Sequence, residues 1–369
     1  MESPKVFVTS PSLPDFDEYV NEIRSIWDTK QLTNMGPKHQ QLEQQLKEYM
    51  KVKQVELFSN GHLALQIALR SLQLKGGEII TTPFTFASTT QAIVECGFKP
   101  VFCDINTKNY TIDVDKIEDL ITDKTVAILP VHIYGVPCDV YRLETIAKKH
   151  NLKLIYDAAH TFGVEIDGRG IGSFGDVSMF SFHATKVYNT VEGGCLTFNE
   201  QDLGEDIRAI RSFGMKGPEN VELIGTNAKM TELHAAMGLC NLRHVDEDIA
   251  KRKVLVEQYV RRLHNKKGIV LVLNEDNVKS NYAYFPVVFN PEVCGFTRDE
   301  VCDSLARNNI FARKYFYPLT NQFQCYEGRF DLGSTPIAEY VSENVLTLPL
   351  FADMQITIVD RICDIIENM

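Results

Sequence analysis

Short apolar runs alternate with helix-period stretches through the first half of the chain. Val55-Glu56-Leu57-Phe58 predicts a short strand. Ser59-Asn60-Gly61 follows, and His62 to Leu69 carries apolar residues at helical spacing. Further strands are predicted at 78–82, stopped by Pro83, and at 99–104, 126–131, 152–157, 177–182 and Gly194–Phe198, with helical stretches such as 141–150 separating several of them. Continuous Val/Ile/Leu-rich strands between helices predict a mostly parallel sheet covered on both faces. The texture changes near 245. A long charged helix over roughly 245–264 leads to a strand at 269–273, an alternating strand at 282–289, a helix at 297–308 and the aromatic-rich stretch 314–318. The expected organisation is a large α/β domain, 1–245, and a smaller C-terminal α+β domain, 246–369, with a helix crossing the boundary.

Composition narrows the function classes. A chain of 369 residues that is 44% hydrophobic and 24% charged excludes disorder and low complexity and can bury a large core. The net charge of −11, without a dense basic run, argues against a general nucleic-acid binder but leaves room for a phosphate pocket built from backbone amides. Nine scattered cysteines form no C-x-x-C pair, which speaks for buried free thiols and against a metal site. The N-terminus shows no apolar signal region and no run approaches 18 apolar residues, so a cytoplasmic protein without membrane spans is expected.

Four segments carry chemistry. In Ser181-Phe182-His183-Ala184-Thr185-Lys186, with Glu192-Gly193-Gly194 beyond, a lysine lies just past a strand. A desolvated amine there suits Schiff-base chemistry, whereas most loop lysines are simply solvated. Asp157, in Asp157-Ala158-Ala159-His160, ends an otherwise apolar strand. A buried carboxylate needs a cation or strong donors, and a protonated pyridine nitrogen is such a partner; a helix N-cap, common at a strand's C-terminal end, is the better explanation of this residue taken alone. Ser59-Asn60-Gly61-His62 opens a helix whose free amides suit phosphate, without the G-x-G-x-x-G or G-K-[ST] fingerprints. Phe86, in Pro83-Phe84-Thr85-Phe86-Ala87, could stack on a flat cofactor or pack in the core.

Together these segments resemble the DegT/StrS-type sugar-nucleotide aminotransferases, a branch of the fold-type I (aspartate aminotransferase-like) enzymes dependent on pyridoxal 5'-phosphate (PLP). The blocks Thr33-Asn34-Met35-Gly36-Pro37, Val131-His132-Ile133-Tyr134-Gly135, Asn227 to Leu233 and Arg313 to Pro318 add to the likeness, in family order over nearly the whole chain. The resemblance implies Lys186 as the Schiff-base lysine, Asp157 as partner of the pyridinium nitrogen, Phe86 as the stacking aromatic and Gly61, His62 and Ser181 as the phosphate cup. It implies that Asn227 reaches the phosphate of a second subunit, hence a homodimer with shared sites. His160 falls where Gln is usual, beside the ring's phenolic oxygen, and its charge is expected to be pH-sensitive. His62 replaces a usual Thr or Ser, and Lys229 a usual Arg.

Lys186 speaks against the dehydratase branch, which carries histidine there. Leu32-Thr33-Asn34, Phe58 to Gly61 and Asp157 to His160 resemble the branch that moves the amine of L-glutamate, through pyridoxamine phosphate, to C4 of dTDP-4-keto-6-deoxyglucose, for deoxyamino-sugar and O-antigen biosynthesis. Amination at C3 and an inactive PLP-binding regulator are the alternatives, and a Rossmann-type oxidoreductase lacks its glycine fingerprint. Thr33, Arg313, Tyr315 and Tyr317 are candidates for lining the sugar-nucleotide cleft or for interface packing.

Overall fold

The computed structural model describes residues 4–369. Seven strands form the central sheet: β1 (Gln54–Phe58), β2 (Glu78–Thr81), β3 (Lys99–Phe102), β4 (Thr125–Ile128), β5 (Lys153–Asp157), β6 (Val177–Ser181) and β7 (Gly194–Phe198). Their spatial order is β1-β7-β6-β5-β4-β2-β3. β3, β2, β4, β5 and β6 run parallel, as the apolar runs predict. β7 runs antiparallel to both its neighbours, pairing Gly194 with Phe58 and with Ser181. An apolar run has no direction, so this reversal was not legible from hydrophobicity. It brings the start of β7 to the edge where β1 and β6 end.

Buried apolar side chains cover both faces of the sheet. One face packs Leu57, Tyr156 and Phe180 against Leu42, Leu46, Leu143 and Leu239. The other packs Phe58, Ile155 and Met179 against α1 (Gly61–Ser71) and α2 (Ala87–Glu95) through Leu65, Leu69 and Ile93. Each fully buried Leu, Ile or Phe contributes on the order of 1.5–3 kcal/mol, which fixes the strand ends that carry the site.

The charged helix is longer than expected. It runs unbroken as α3 (Glu232–Leu263), starting 13 positions before 245. Ala235 to Asn241 is buried on every side, so the first turns show no amphipathic stripe to read. Beyond it, β8 (Ile269–Leu271), β9 (Phe285–Phe289) and β10 (Val345–Leu348) form an antiparallel sheet with its own core of Phe285, Phe289, Leu346 and Ile362. Val6–Phe7 pairs in parallel with Ile310–Phe311, so the chain's first described strand joins this C-terminal layer. A further cluster, containing Phe84, Tyr134, Val288 and Phe316, packs the two layers together above the carboxyl ends of the parallel strands. Among the described residues no helix is long and apolar enough to cross a membrane.

Candidate active site

Ligands of open parallel sheets bind beyond the carboxyl ends of the strands. A cavity of about 490 Å³ lies there, and Gly61, His62, Phe86, Asp157, His160, Ser181, Lys186 and Tyr315 all line it. All but Tyr315, which comes from the C-terminal layer, sit at or soon after the end of a central strand: β1 leads to Gly61, β2 to Phe86, β5 ends on Asp157 and β6 ends on Ser181. Four segments distant in sequence are thus aimed at one space.

Asp157 is 4% exposed. No helix follows it, which removes the N-cap explanation. The Thr89 hydroxyl donates to Oδ2 at 2.7 Å and the Ala159 amide to Oδ1 at 3.1 Å. Burial raises its pKa, and these two donors together with the Lys186 charge hold it back. Among the described residues it has no ion-pair partner within 4.0 Å, so this buried carboxylate faces the cavity satisfied by hydrogen bonds alone.

Lys186 is half-buried on the cavity wall, its Nζ 5.9 Å from the Tyr284 ring centre. Burial lowers its pKa to about 8 from the ordinary 10.5, against the opposing pull of Asp157. That shift raises the neutral, nucleophilic fraction at pH 7 by roughly 300-fold.

Helix α1 starts with Asn60 as N-cap, whose side chain accepts the Leu63 amide at 2.9 Å. The first amides, those of Gly61 and His62, have no acceptor one turn back within the helix and point to the cavity end, as an anion requires. Gly61 sits in a tight place: a Cβ there would lie 3.1 Å from Met179 Sδ and 3.1 Å from Ser181 Cβ, so those side chains would have to give way. The His62 ring turns away to Ser88 Oγ (2.8 Å) and Glu95 Oε2 (3.1 Å), so its backbone amide rather than its ring is the group available to an anion. Phe86 is 59% exposed although aromatic, with its ring at the cavity wall, so core packing does not explain it.

His160 departs from the expected pH sensitivity. Its Nδ1 accepts the Tyr134 amide at 3.1 Å, which leaves Nε2 as the proton-bearing nitrogen of the neutral ring. Burial, reinforced by the Lys186 charge, pushes its pKa well below the ordinary 6.5. It is a fixed neutral donor rather than a switch.

The structure also adds residues that the sequence did not single out. Tyr284 and Phe316 line the cavity from the C-terminal layer. Asn281, fully buried, donates to the carbonyls of His160 (2.8 Å) and Phe162 (2.9 Å) and so fixes the loop after β5. Thr89 lies three positions past Phe86 on one helix face, a spacing the sequence shows; Asn281 and Tyr284 carry no local signal. Thr33, Asn227 and Arg313 are exposed and lie outside this chain's own cavity, and the Tyr317 ring lies under the Arg298 guanidinium at 5.1 Å.

A carboxylate, a depressed-pKa lysine and an open helix start around one cavity define a lysine-centred α/β enzyme with an anion-binding end. The comparisons agree. The sequence profile of the DegT/DnrJ/EryC1/StrS aminotransferase family matches residues 15–367. The chain is 42% identical over 369 residues, 100% of both chains, to the dTDP-4-amino-4,6-dideoxy-D-glucose transaminase of Shigella dysenteriae. It is 39% identical, over 98% of both chains, to the Escherichia coli protein of the same name. The crystal structure of DesI in the presence of its TDP-sugar product superposes with a TM-score of 0.94 at 31% identity, covering 99% of this chain and 93% of that one. The chain belongs to the DegT/DnrJ/EryC1/StrS aminotransferase family, and its fold is the one these aminotransferases share.

Proposed function

We propose that the protein transfers the amino group of L-glutamate to C4 of dTDP-4-keto-6-deoxyglucose, giving dTDP-4-amino-4,6-dideoxyglucose, with PLP as cofactor. The observation that carries this reading is the convergence of Lys186, Asp157 and the open amides of α1 on one cavity. The full-length likeness to transaminases named for that product supports the substrate.

The residues present fit PLP on three counts. The α1 start offers unpaired amides for a phosphate beside the packed Gly61. Asp157 offers a buried carboxylate to a protonated ring nitrogen, and Phe86 an exposed ring face to a flat heterocycle. Bound there, PLP supplies an electron sink that stabilises negative charge at the carbon bearing the amine. Lys186 would hold the cofactor through its neutral amine and then move the proton at the amino acid's α-carbon. Asp157 would keep the ring nitrogen protonated. His160 would donate from Nε2 to the phenolic oxygen, and Tyr284 and Phe316 would exclude water. Tyr315 lines the cleft from the C-terminal layer, held by the Tyr134 hydroxyl donating to its carbonyl.

The exposure of Asn227 outside its own cavity supports its action in a second subunit, and thus a homodimer. Thr33 and Arg313 remain assigned to the sugar-nucleotide cleft on the same ground, whereas the Tyr317 ring is engaged by Arg298.

The pH dependence of cofactor capture follows from Lys186. Only the neutral amine reacts, so the borohydride-trapped yield of PLP-labelled apoprotein should rise with pH through about 8 and then level. Asp157 raises the Lys186 pKa, so Asp157→Asn should move the inflection to lower pH. A pH-independent yield would contradict this assignment.

Regiochemistry tests the substrate. The keto carbon must sit within about 3–3.5 Å of the reacting nitrogen while the nucleotide is clamped elsewhere, so moving the ketone by one carbon breaks the alignment. After incubation with L-glutamate and either the 4-keto or the 3-keto sugar nucleotide, NMR should locate the amine at C4. An amine at C3, or activity only after an isomerase is added, would replace the C4 assignment with the C3 one.

A further inference from the structure

We propose that His183 and Glu192 form a donor–acceptor pair that recognises the sugar hydroxyl next to the keto carbon, and so decide which keto sugars are accepted; this rests on the sugar-nucleotide reading above.

Both side chains line the cavity and both are about half exposed, at 46% and 53%. The Nδ1 of His183 is occupied locally: the Thr185 amide donates to it at 3.3 Å, and the Thr185 hydroxyl lies at 2.8 Å. The neutral ring therefore carries its proton on Nε2. That nitrogen lies 3.6 Å from Glu192 Oε1, which is too far for a hydrogen bond. An N–H donor and a carboxylate acceptor thus stand side by side at the cavity, each with hydrogen-bonding capacity to spare.

The turn carrying Glu192 is built to aim it. Val191, a β-branched residue, is held at φ 69°, a left-handed conformation that such residues rarely adopt. Its amide donates to Asn189 Oδ1 at 3.1 Å, and the Thr190 hydroxyl donates to the Glu192 carbonyl at 2.8 Å. Asn189 is itself fixed, with Asn241 Nδ2 donating to its carbonyl at 2.8 Å and its own Nδ2 donating to the Ser12 carbonyl at 2.9 Å. Gly193 has no room for a side chain, because a Cβ would lie 2.1 Å from Thr190 Oγ1. Backbone strain enforced from several sides is found where a segment has work to do.

The chemistry selects the ligand. A hydroxyl both donates and accepts, so one hydroxyl, or two vicinal ones, can satisfy Nε2–H and the carboxylate together. A substrate carboxylate is disfavoured there by the charge of Glu192. The Lys186 amide donates to the His183 carbonyl at 2.9 Å, which ties the pair to the turn that carries the reacting amine. The hydroxyl concerned is therefore one near the keto carbon. A sugar lacking it leaves both half-exposed groups to water, so the deoxy analogue forfeits the net worth of hydrogen bonds to a charged acceptor and a neighbouring donor.

The test compares dTDP-4-keto-6-deoxyglucose with its 3-deoxy counterpart on the PLP-loaded enzyme. The wild type should favour the hydroxylated sugar in kcat/KM by about tenfold or more. His183→Ala and Glu192→Ala should each reduce that preference by about threefold or more, with a matching rise in the calorimetric Kd of the amino-sugar product. The KM for L-glutamate should stay within about twofold, since the pair acts only on the sugar. Glu192→Gln, which keeps an acceptor, should fall between. A wild type without the preference, or variants that keep it, would overturn the proposal. So would a loss shared equally by the glutamate half-reaction. A wild type inert toward glutamate itself would instead refute the aminotransferase reading on which the proposal rests.

Discussion

Lys186→Ala is expected to fold normally and to show no measurable turnover. The side chain stands on a cavity wall, so its removal takes little from the core. Its amine, brought down to about 8 by burial, is the lining group placed and tuned to bond a carbonyl carbon and to move a proton beside it. The start of α1 and Asp157 are untouched, so equilibrium dialysis should still find PLP bound, now without a covalent link. Binding without chemistry is the signature that separates this lysine from a structural one. Turnover within tenfold of wild type corresponds to only about 1.4 kcal/mol of transition-state stabilisation and would contradict the assignment.

Asp157→Ala should reduce turnover by roughly a hundredfold or more, the scale of losing a preorganised electrostatic partner. The expected effect on stability has the opposite sense. Burial raises the Asp157 pKa, so the unfolded chain gives up this proton more readily than the folded one, and stability falls as pH rises through the interval between the two values. At neutral pH the charged carboxylate therefore adds no stability to the apoprotein, and Asp157→Ala should leave its melting temperature unchanged or raised. Asp157→Glu keeps the charge but displaces it, and Thr89→Val removes the 2.7 Å donor; both should give smaller losses than Ala. A lower melting temperature with unchanged turnover would mark Asp157 as a structural residue.

The parts of the site that were legible in the sequence are those in which an apolar run ends abruptly on a residue with chemistry. β5 ending on Asp157, β6 leading to Lys186 and β1 leading to Gly61 are all of this kind, because a parallel strand delivers whatever follows it to one edge of the sheet. What was not legible depends on partners far away in the chain. The neutral state of His160 is set by the Tyr134 amide and by burial beneath Tyr284 and Phe316, none of them near it in sequence. Asn281 holds the His160 loop from 121 positions away. The early turns of α3 hid in a stretch buried all round, and β7 gave no clue to its direction. The Val191 strain is a property of the folded turn, since nothing in the residue type announces it.

The central claim is that this cavity holds PLP on Lys186 and exchanges an amine through it. The most direct measurement is the visible absorbance of the purified protein after addition of PLP and removal of the excess, followed by titration with L-glutamate. The account predicts a protein-bound visible band that glutamate bleaches and that the keto sugar nucleotide restores. A band that persists in glutamate would show a binder without transaminase activity, and no band even with added PLP would contradict the account altogether.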